Sequence, residues 1–142
     1  MPLMPGGLPE GFEPMPPFGP FHELVGPLYY RQVEAGFIIG LRAEEKHRNR
    51  GDMIHGGMVA MLADTALTWA SMYSRQPRLH VLTTQLSVSM VGKAKPGDWL
   101  EAHTDVVRAG RRVVFCNCFI WANAVRIAQA TAQFQVIEAA PA

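Results

Sequence analysis

One window of the sequence, residues 57–73, has the spacing of a long helix and limits what the rest of the chain can form. Its apolar side chains recur at about 100° per residue, which separates two helix faces. The broad apolar face consists of Val59, Leu62, Ala66, Trp69 and Tyr73. The opposite face is narrow and small, and consists of Gly57, Ala60, Asp64, Thr68 and Ser71. An apolar helix face of this width needs a sheet to cover it.

Strand-like segments stand on both sides of this helix. Two precede it, residues 28–33 and 37–43, with a turn at Glu34-Ala35-Gly36. Four follow it, residues 82–90, 99–107, 112–122 and 125–137. Hairpin-type connections require antiparallel pairing. The sequence therefore predicts an α+β fold in which an antiparallel sheet wraps around one long central helix.

The strand at residues 82–90 shows a period-two alternation, which predicts one face toward a core. The side chains predicted on one face are Leu82, Thr84, Leu86, Val88 and Met90. Those predicted on the other are Thr83, Gln85, Ser87 and Ser89.

The N-terminal arm, residues 1–24, is rich in Pro and Gly over its first 20 positions. Proline removes backbone donors and glycine costs entropy to fix, so we expect an irregular arm, either disordered or laid along a surface. Residues 25–142 are expected to form one domain, since the whole chain has the length of a single domain.

Composition excludes several classes of protein. Hydrophobic residues are 49% and charged residues 18%, which indicates a globular chain with apolar surface for another subunit to cover. A net charge of +1 argues against nucleic-acid binding. There is no signal peptide and no apolar run of membrane-spanning length, so we expect a cytoplasmic protein without membrane attachment. Cys116 and Cys118 are expected to be buried free thiols, and no metal site is expected.

Gly56 and Gly57 stand where the long helix should begin. A helix start exposes backbone N–H groups and carries partial positive charge, and glycine lets a ligand approach that backbone. Such a site could stabilise an oxyanion. A plain loop-to-helix junction explains the same residues equally well.

Asp64 lies in mid-helix beside Leu62, Ala63, Ala66 and Leu67. A carboxylate there is costly unless it is paired or used, so it is either a functional group or a structural partner at a subunit contact. It follows His55 by nine residues, which is roughly 13 Å along a helix axis. Asp64 therefore cannot serve the glycine turn of its own helix. One site containing both would need two chains packed antiparallel, which predicts an obligate dimer.

Two polar residues flank the glycines. Asn49 lies in a polar loop six residues before His55, and its amide N–H could join that of Gly56 at an oxyanion, although most lone loop asparagines are turn residues. His55 could contact a substrate or brace the loop by hydrogen bonds, and bracing is favoured. Serine-hydrolase, phosphate-loop and dinucleotide motifs do not occur in the sequence.

Asn49, His55-Gly56-Gly57 and Asp64, in this spacing, resemble the PaaI-like group of hotdog thioesterases. The resemblance covers roughly residues 25–137. Further segments agree with it: Thr83 to Val88, Lys93 to Asp98, Arg108 to Arg111 and Ile127 to Phe134. It implies a hotdog fold, hydrolysis of an acyl- or aryl-acyl-CoA to the free acid and CoA, and a homodimer or a tetramer of paired dimers. It implies no cofactor, because coenzyme A is part of the substrate.

The resemblance also implies roles for particular residues. The Gly56 amide and Asn49 would bind the thioester oxygen, with His55 beside them. Asp64 of the partner subunit would activate water or attack directly. Thr83 would hold the water, with Thr84 as the alternative, and Thr83 is preferred because it shares its predicted face with Gln85 and Ser87.

Coenzyme A contacts in such proteins come from the turn after the third strand of the domain and from the next hairpin. The residues implied are Gly57, Thr84, Lys93, Ala94, Lys95, Arg108, Gly110, Arg111 and Arg112. Cations suit the phosphates of CoA, although ordinary hairpin solubility explains them too. The sequence departs from the family at Gly92-Lys93-Ala94, where members often have Pro before the Ala.

Two rival functions are open, and the first of them uses the same pocket. A non-catalytic acyl-CoA sensor would not need the buried carboxylate of Asp64. A hotdog dehydratase would want a His and an acid placed for proton transfer, whereas the glycines beside His55 favour a carbonyl-binding role.

Overall fold

The computed structural model describes residues 7–16 and 18–137. The predicted order of two strands, one long helix and four strands is present, with two short elements before it. The strands are β1 (Glu13–Pro14), β2 (Tyr29–Val33), β3 (Gly36–Arg42), β4 (His80–Met90), β5 (Trp99–Ala109), β6 (Val113–Ala122) and β7 (Val125–Ile137). The helices are α1 (Pro20–Val25) and α2 (Gly56–Met72), with a single 3₁₀ turn at Glu45–His47.

The seven strands form one antiparallel sheet in the order β1-β2-β3-β5-β6-β7-β4. The helix α2 contacts five of them, β3 to β7. An antiparallel sheet around one long helix is the α+β hotdog arrangement that the sequence predicted, and the prediction is confirmed. Among the described residues, no helix is long and apolar enough to cross a membrane.

The core lies between α2 and the concave face of the sheet. Leu62 and Leu67 of α2 are fully buried against sheet residues such as Leu41, Ile120 and Phe134. The predicted apolar face is buried at Val59, Leu62, Ala66 and Trp69, but Tyr73 caps the helix and is 39% exposed. On the predicted small face Ser71 is fully buried, whereas Asp64 and Thr68 are half-buried.

The arm contains more regular structure than the Pro and Gly content predicted. β1 pairs with β2, and residues 20–25 form the helix α1. Phe12 packs edge-on against Trp99 at a ring separation of 5.0 Å, so the arm is laid along the protein where it is described. Predictions for residues 1–6, 17 and 138–142 lie outside the described residues. The boundary between residues 24 and 25 stays a prediction.

The face prediction for β4 is wrong at its beginning because the strand contains a β-bulge. Its register against β7 shifts between Thr83 and Gln85. A bulge inserts one extra residue, so the alternation changes phase there. Val81 and Thr83 therefore lie on the same side as Leu86 and Val88, toward α2, while Leu82 is 57% exposed.

β4 is an edge strand. It is the last strand in the sheet order, so one side of its 11 residues carries no strand partner in the part of the chain that the structure describes. A long strand edge offers a row of unpaired N–H and C=O groups, which is a template for pairing with another chain.

A substitution at Gly40 tests the packing of the sheet against Trp99 and the arm residue Phe12. An added Cβ at this position would meet the Trp99 ring at 2.3 Å, beneath Phe12. We expect Gly40→Ala to lower the free energy of unfolding by about 1–3 kcal/mol through overpacking, measured by urea denaturation. The control is Gly51→Ala, whose Cβ would make an ordinary contact of 3.5 Å and should change stability little. Equal stabilities for the two variants would contradict the packing described.

Candidate active site

The first turn of α2 leaves one backbone donor without a partner. His55 caps the helix: its Nδ1 accepts the Gly57 N–H at 2.7 Å, and its carbonyl accepts the N–H groups of Met58 and Val59. The Gly56 N–H has no acceptor within residues 7–16 and 18–137. A helix N-terminus attracts negative charge. The arrangement therefore offers the Gly56 amide to an anionic or polarised oxygen.

Gly56 also lies next to the C-terminal end of β4. A Cβ added at Gly56 would approach the Met90 sulfur to 3.0 Å, so the thioether lies directly over this glycine. The start of α2 is thus next to the last residue of β4.

The polar loop before α2 is held by backbone bonds and a second histidine. The N–H of His55 donates to the carbonyl of His47 at 2.8 Å, and the N–H of Asn49 donates to Met53 at 2.8 Å. His47 is buried, and its ring accepts the Glu44 N–H at 3.0 Å and contacts the Val25 carbonyl. Sequence reasoning gave His47 no role, although its place three residues after Glu44 fits a capping box.

One end of the Asn49 amide is bound within its own loop. Its Oδ1 accepts the Gly51 N–H at 2.8 Å. Its Nδ2 has no acceptor in the described part of the chain. The turn role and the donor role, which were alternatives in the sequence, are therefore compatible in one side chain.

Asp64 is paired by a hydroxyl and not by a cation. The Thr83 hydroxyl donates to its Oδ1 at 2.9 Å. No Lys or Arg nitrogen of the described residues lies within 4.0 Å of its carboxylate. A half-buried carboxylate held by one hydroxyl keeps an oxygen available to accept a proton from water.

The structure distinguishes the positions of the two neighbouring threonines. Thr83 faces α2 and Asp64, whereas the Thr84 hydroxyl donates to the Gln133 carbonyl at 3.1 Å. The reason given from the sequence, a face shared with Gln85 and Ser87, is wrong because the bulge moves Thr83 to the opposite face. The roles of both residues stay predictions.

Within one chain these groups form two separate halves. Gly56 and Asp64 are eight residues apart on the uninterrupted helix α2, which is about 12 Å along its axis. One half contains Asn49, His55 and Gly56 beside Met90. The other contains Asp64 and Thr83.

The predicted CoA contacts divide in the same way. Ala94 is buried and its carbonyl accepts the Ile54 N–H at 2.8 Å, so the exposed Lys93 and Lys95 lie beside the Gly56 half. At the other end of the sheet, the Arg112 carbonyl accepts the Val136 N–H, and Val136 pairs with Val81 near Thr83. The hairpin residues Arg108, Gly110, Arg111 and Arg112 therefore lie on the Asp64 half. An added Cβ at Gly110 would come within 2.8 Å of the Val113 carbonyl, so this turn needs glycine.

The two cysteines do not offer a nucleophile. Burial raises the pKa of the Cys116 thiol to about 11 and that of Cys118 to about 12. Both are neutral thiols at physiological pH, and the thiolate is the reactive form. The described residues also contain no group of three or more His, Cys, Asp or Glu that could hold a metal ion.

Comparisons with known proteins agree with this fold and this helix. The family model described as the thioesterase superfamily matches residues 51–128. The chain is 36% identical over 130 residues to a Pseudomonas aeruginosa protein named "Putative esterase PA0474", covering 91% of this chain and 97% of the relative.

Two solved structures share the fold. The E. coli PaaI protein from the phenylacetic acid degradation operon has a TM-score of 0.76 and 18% identity, covering 85% of this chain and 86% of that one. A Streptococcus pneumoniae hypothetical thioesterase with coenzyme A has a TM-score of 0.71 and 20% identity, covering 78% of this chain and 85% of that one.

The chain belongs to the thioesterase superfamily. It shares the hotdog fold of the PaaI structure, and as a member of this superfamily it is a hydrolase of thioester bonds. The resemblance that the sequence showed is confirmed.

The capping bond of His55 gives a testable prediction. His55→Ala removes the acceptor for the Gly57 N–H, and we expect it to lower the free energy of unfolding by about 1 kcal/mol, measured by thermal denaturation. His55→Asn, which supplies another capping oxygen, should recover most of that loss. If both variants lost the same free energy of unfolding, the capping hydrogen bond of His55 would not be the cause of the loss.

Proposed function

We propose that the protein hydrolyses an acyl- or aryl-acyl-CoA to the free acid and CoA, in active sites shared between two subunits. The single observation that carries the proposal is the Asp64 carboxylate, held by Thr83 without a cation and facing the edge strand β4. The related S. pneumoniae thioesterase was solved with coenzyme A, which supports this class of substrate.

A two-fold dimer through β4 would unite the two halves of the site. Thr83 and Met90 lie toward opposite ends of this edge strand, with Leu86 and Ser87 between them. Antiparallel pairing of two copies of β4 about its middle puts the Thr83 end of one strand against the Met90 end of the other. Asp64 of one subunit would then face Gly56 and Asn49 of its partner.

The same pairing would assemble the positive charges. It brings Lys93 and Lys95 of one subunit to the side on which the partner presents Arg108, Arg111 and Arg112. CoA carries several phosphate charges, and cations of both Lys and Arg type bind phosphate oxygens. Gly57, Thr84, Ala94 and Gly110 would line this CoA path without adding charge.

In the proposed reaction, the thioester oxygen accepts hydrogen bonds from the Gly56 N–H and the Asn49 Nδ2–H. Asp64 removes a proton from a water held by Thr83, and the water oxygen bonds to the thioester carbon. The tetrahedral oxyanion forms at the helix N-terminus, where preorganised donors stabilise it. Its collapse breaks the carbon–sulfur bond, and the proton taken by Asp64 passes to the departing CoA sulfur. Water is the co-reactant, so the reaction requires no cofactor.

The role of Asp64 is tested by Asp64→Asn. We expect kcat to fall about 10²–10⁴-fold, because the amide cannot accept the proton, measured as CoA thiol release from a panel of acyl-CoAs. Asp105→Asn is the matched control, because Asp105 is an exposed residue of β5 outside the site. Unchanged hydrolysis in Asp64→Asn would overturn the mechanism. Binding of acyl-CoA by the wild type without any thiol release would favour the acyl-CoA sensor instead.

Mixed dimers test whether sites are shared. Asn49→Ala and Asp64→Asn should each be nearly inactive alone, since each damages one half of both sites. A mixed dimer of the two variants contains one intact site, so it should regain about half of the wild-type activity. Coexpression with two different affinity tags isolates this species. If the mixed dimer stayed as inactive as its parents, each site would lie within one subunit.

A further inference from the structure

A cavity of about 350 Å³ lies between the arm, α1 and the segment before β2, outside the residues assigned above. Its walls are mainly apolar and include Met15, Pro16, Phe18, Pro27 and Leu28. Hydrophobic walls with few polar groups are typical of small-molecule sites.

Two of the polar groups at this cavity already have partners within the protein. His22 Nδ1 bonds to the Phe18 carbonyl at 2.9 Å, and its Nε2 bonds to the Thr65 hydroxyl at 3.0 Å. Lys46 donates to the Gly26 carbonyl and lies 3.9 Å from Glu44. A polar ligand would have to displace these bonds, whereas an apolar one would leave them intact.

Two residues of the cavity wall are connected to α2, one beside Asp64 and one at the N-terminal cap of the helix. His22 bonds to Thr65, which follows Asp64 directly on the helix. Lys46 precedes His47, whose carbonyl accepts the N–H of the capping residue His55. The cavity walls are therefore fixed to the two places on α2 that the reaction uses.

We infer that this cavity receives the far end of the acyl group, and that the arm sets which acyl-CoA is cleaved. The inference rests on the proposed thioesterase function. Benzene fills an apolar cavity of about 150 Å³, so this one has room for roughly twice that volume. The substrate class that fits is an apolar acyl group of medium length, either a straight chain or one ending in an aryl ring.

The test changes the size of the cavity and measures kcat/KM for acetyl-, octanoyl-, decanoyl- and phenylacetyl-CoA. Met15→Trp narrows the cavity, and we expect it to reduce the octanoyl-to-acetyl ratio of kcat/KM by about tenfold or more. Phe18→Ala widens it and should move the preference from octanoyl- toward decanoyl-CoA. Leu24→Ala is the matched control, because Leu24 is a 72% exposed residue of α1 outside the cavity wall, and it should change no ratio.

The outcomes separate this inference from the proposed function. Cleavage of acetyl-CoA with an unchanged octanoyl-to-acetyl ratio in both cavity variants would overturn the acyl site and leave the thioesterase mechanism standing. Absence of thiol release from every substrate in the wild type would instead overturn the proposed function. Circular dichroism checks that Met15→Trp is folded, and if it is not, the ratios of Phe18→Ala decide. The kcat/KM for phenylacetyl-CoA, compared with that for octanoyl-CoA, shows whether an acyl group ending in an aryl ring or a straight chain is preferred.

Discussion

The hydrogen bond from Thr83 to Asp64 fixes the middle of α2 to the beginning of β4, and the candidate site is arranged around it. A half-buried carboxylate needs a donor, because an unpaired one would cost much of the stability that its neighbours provide. A hydroxyl donor satisfies that need without neutralising the carboxylate. A Lys or Arg in its place would stabilise the anion further and make it a weaker base.

The regular geometry of α2 forces the second feature, the division of the site. A helix rises about 1.5 Å per residue, so no rotamer change brings Asp64 to the Gly56 amide of the same chain. The edge position of β4 offers the means of joining the halves, because this strand contains both Thr83, which bonds to Asp64, and Met90, which lies against Gly56. In the proposed dimer, one symmetric strand pairing completes two active sites.

The sequence predicted what depends on periodicity and missed what depends on single residues or distant contacts. The helix and the six main strands follow from apolar spacing, so their order was readable and their ends agree with the structure to within two residues, with the last strand matching at both ends. The bulge in β4 changes the phase of an alternation without changing its composition, so Thr83 was assigned to the wrong face. The helix α1 has six residues, too few for a periodic signal, and its contact through His22 spans 43 positions to Thr65.

The same contact suggests how bond cleavage and substrate choice are divided in this fold. The groups proposed for hydrolysis lie on α2, on β4 and in the loop before α2, and they are held by hydrogen bonds within these three segments. The arm contributes none of them, yet it is joined to α2 beside Asp64 and forms the wall of an apolar cavity. A change in the arm can therefore alter the space for the acyl group while the carboxylate, the hydroxyl and the Gly56 amide keep their geometry. Selectivity is then a property of the arm, and the chemistry belongs to α2, β4 and the loop before α2.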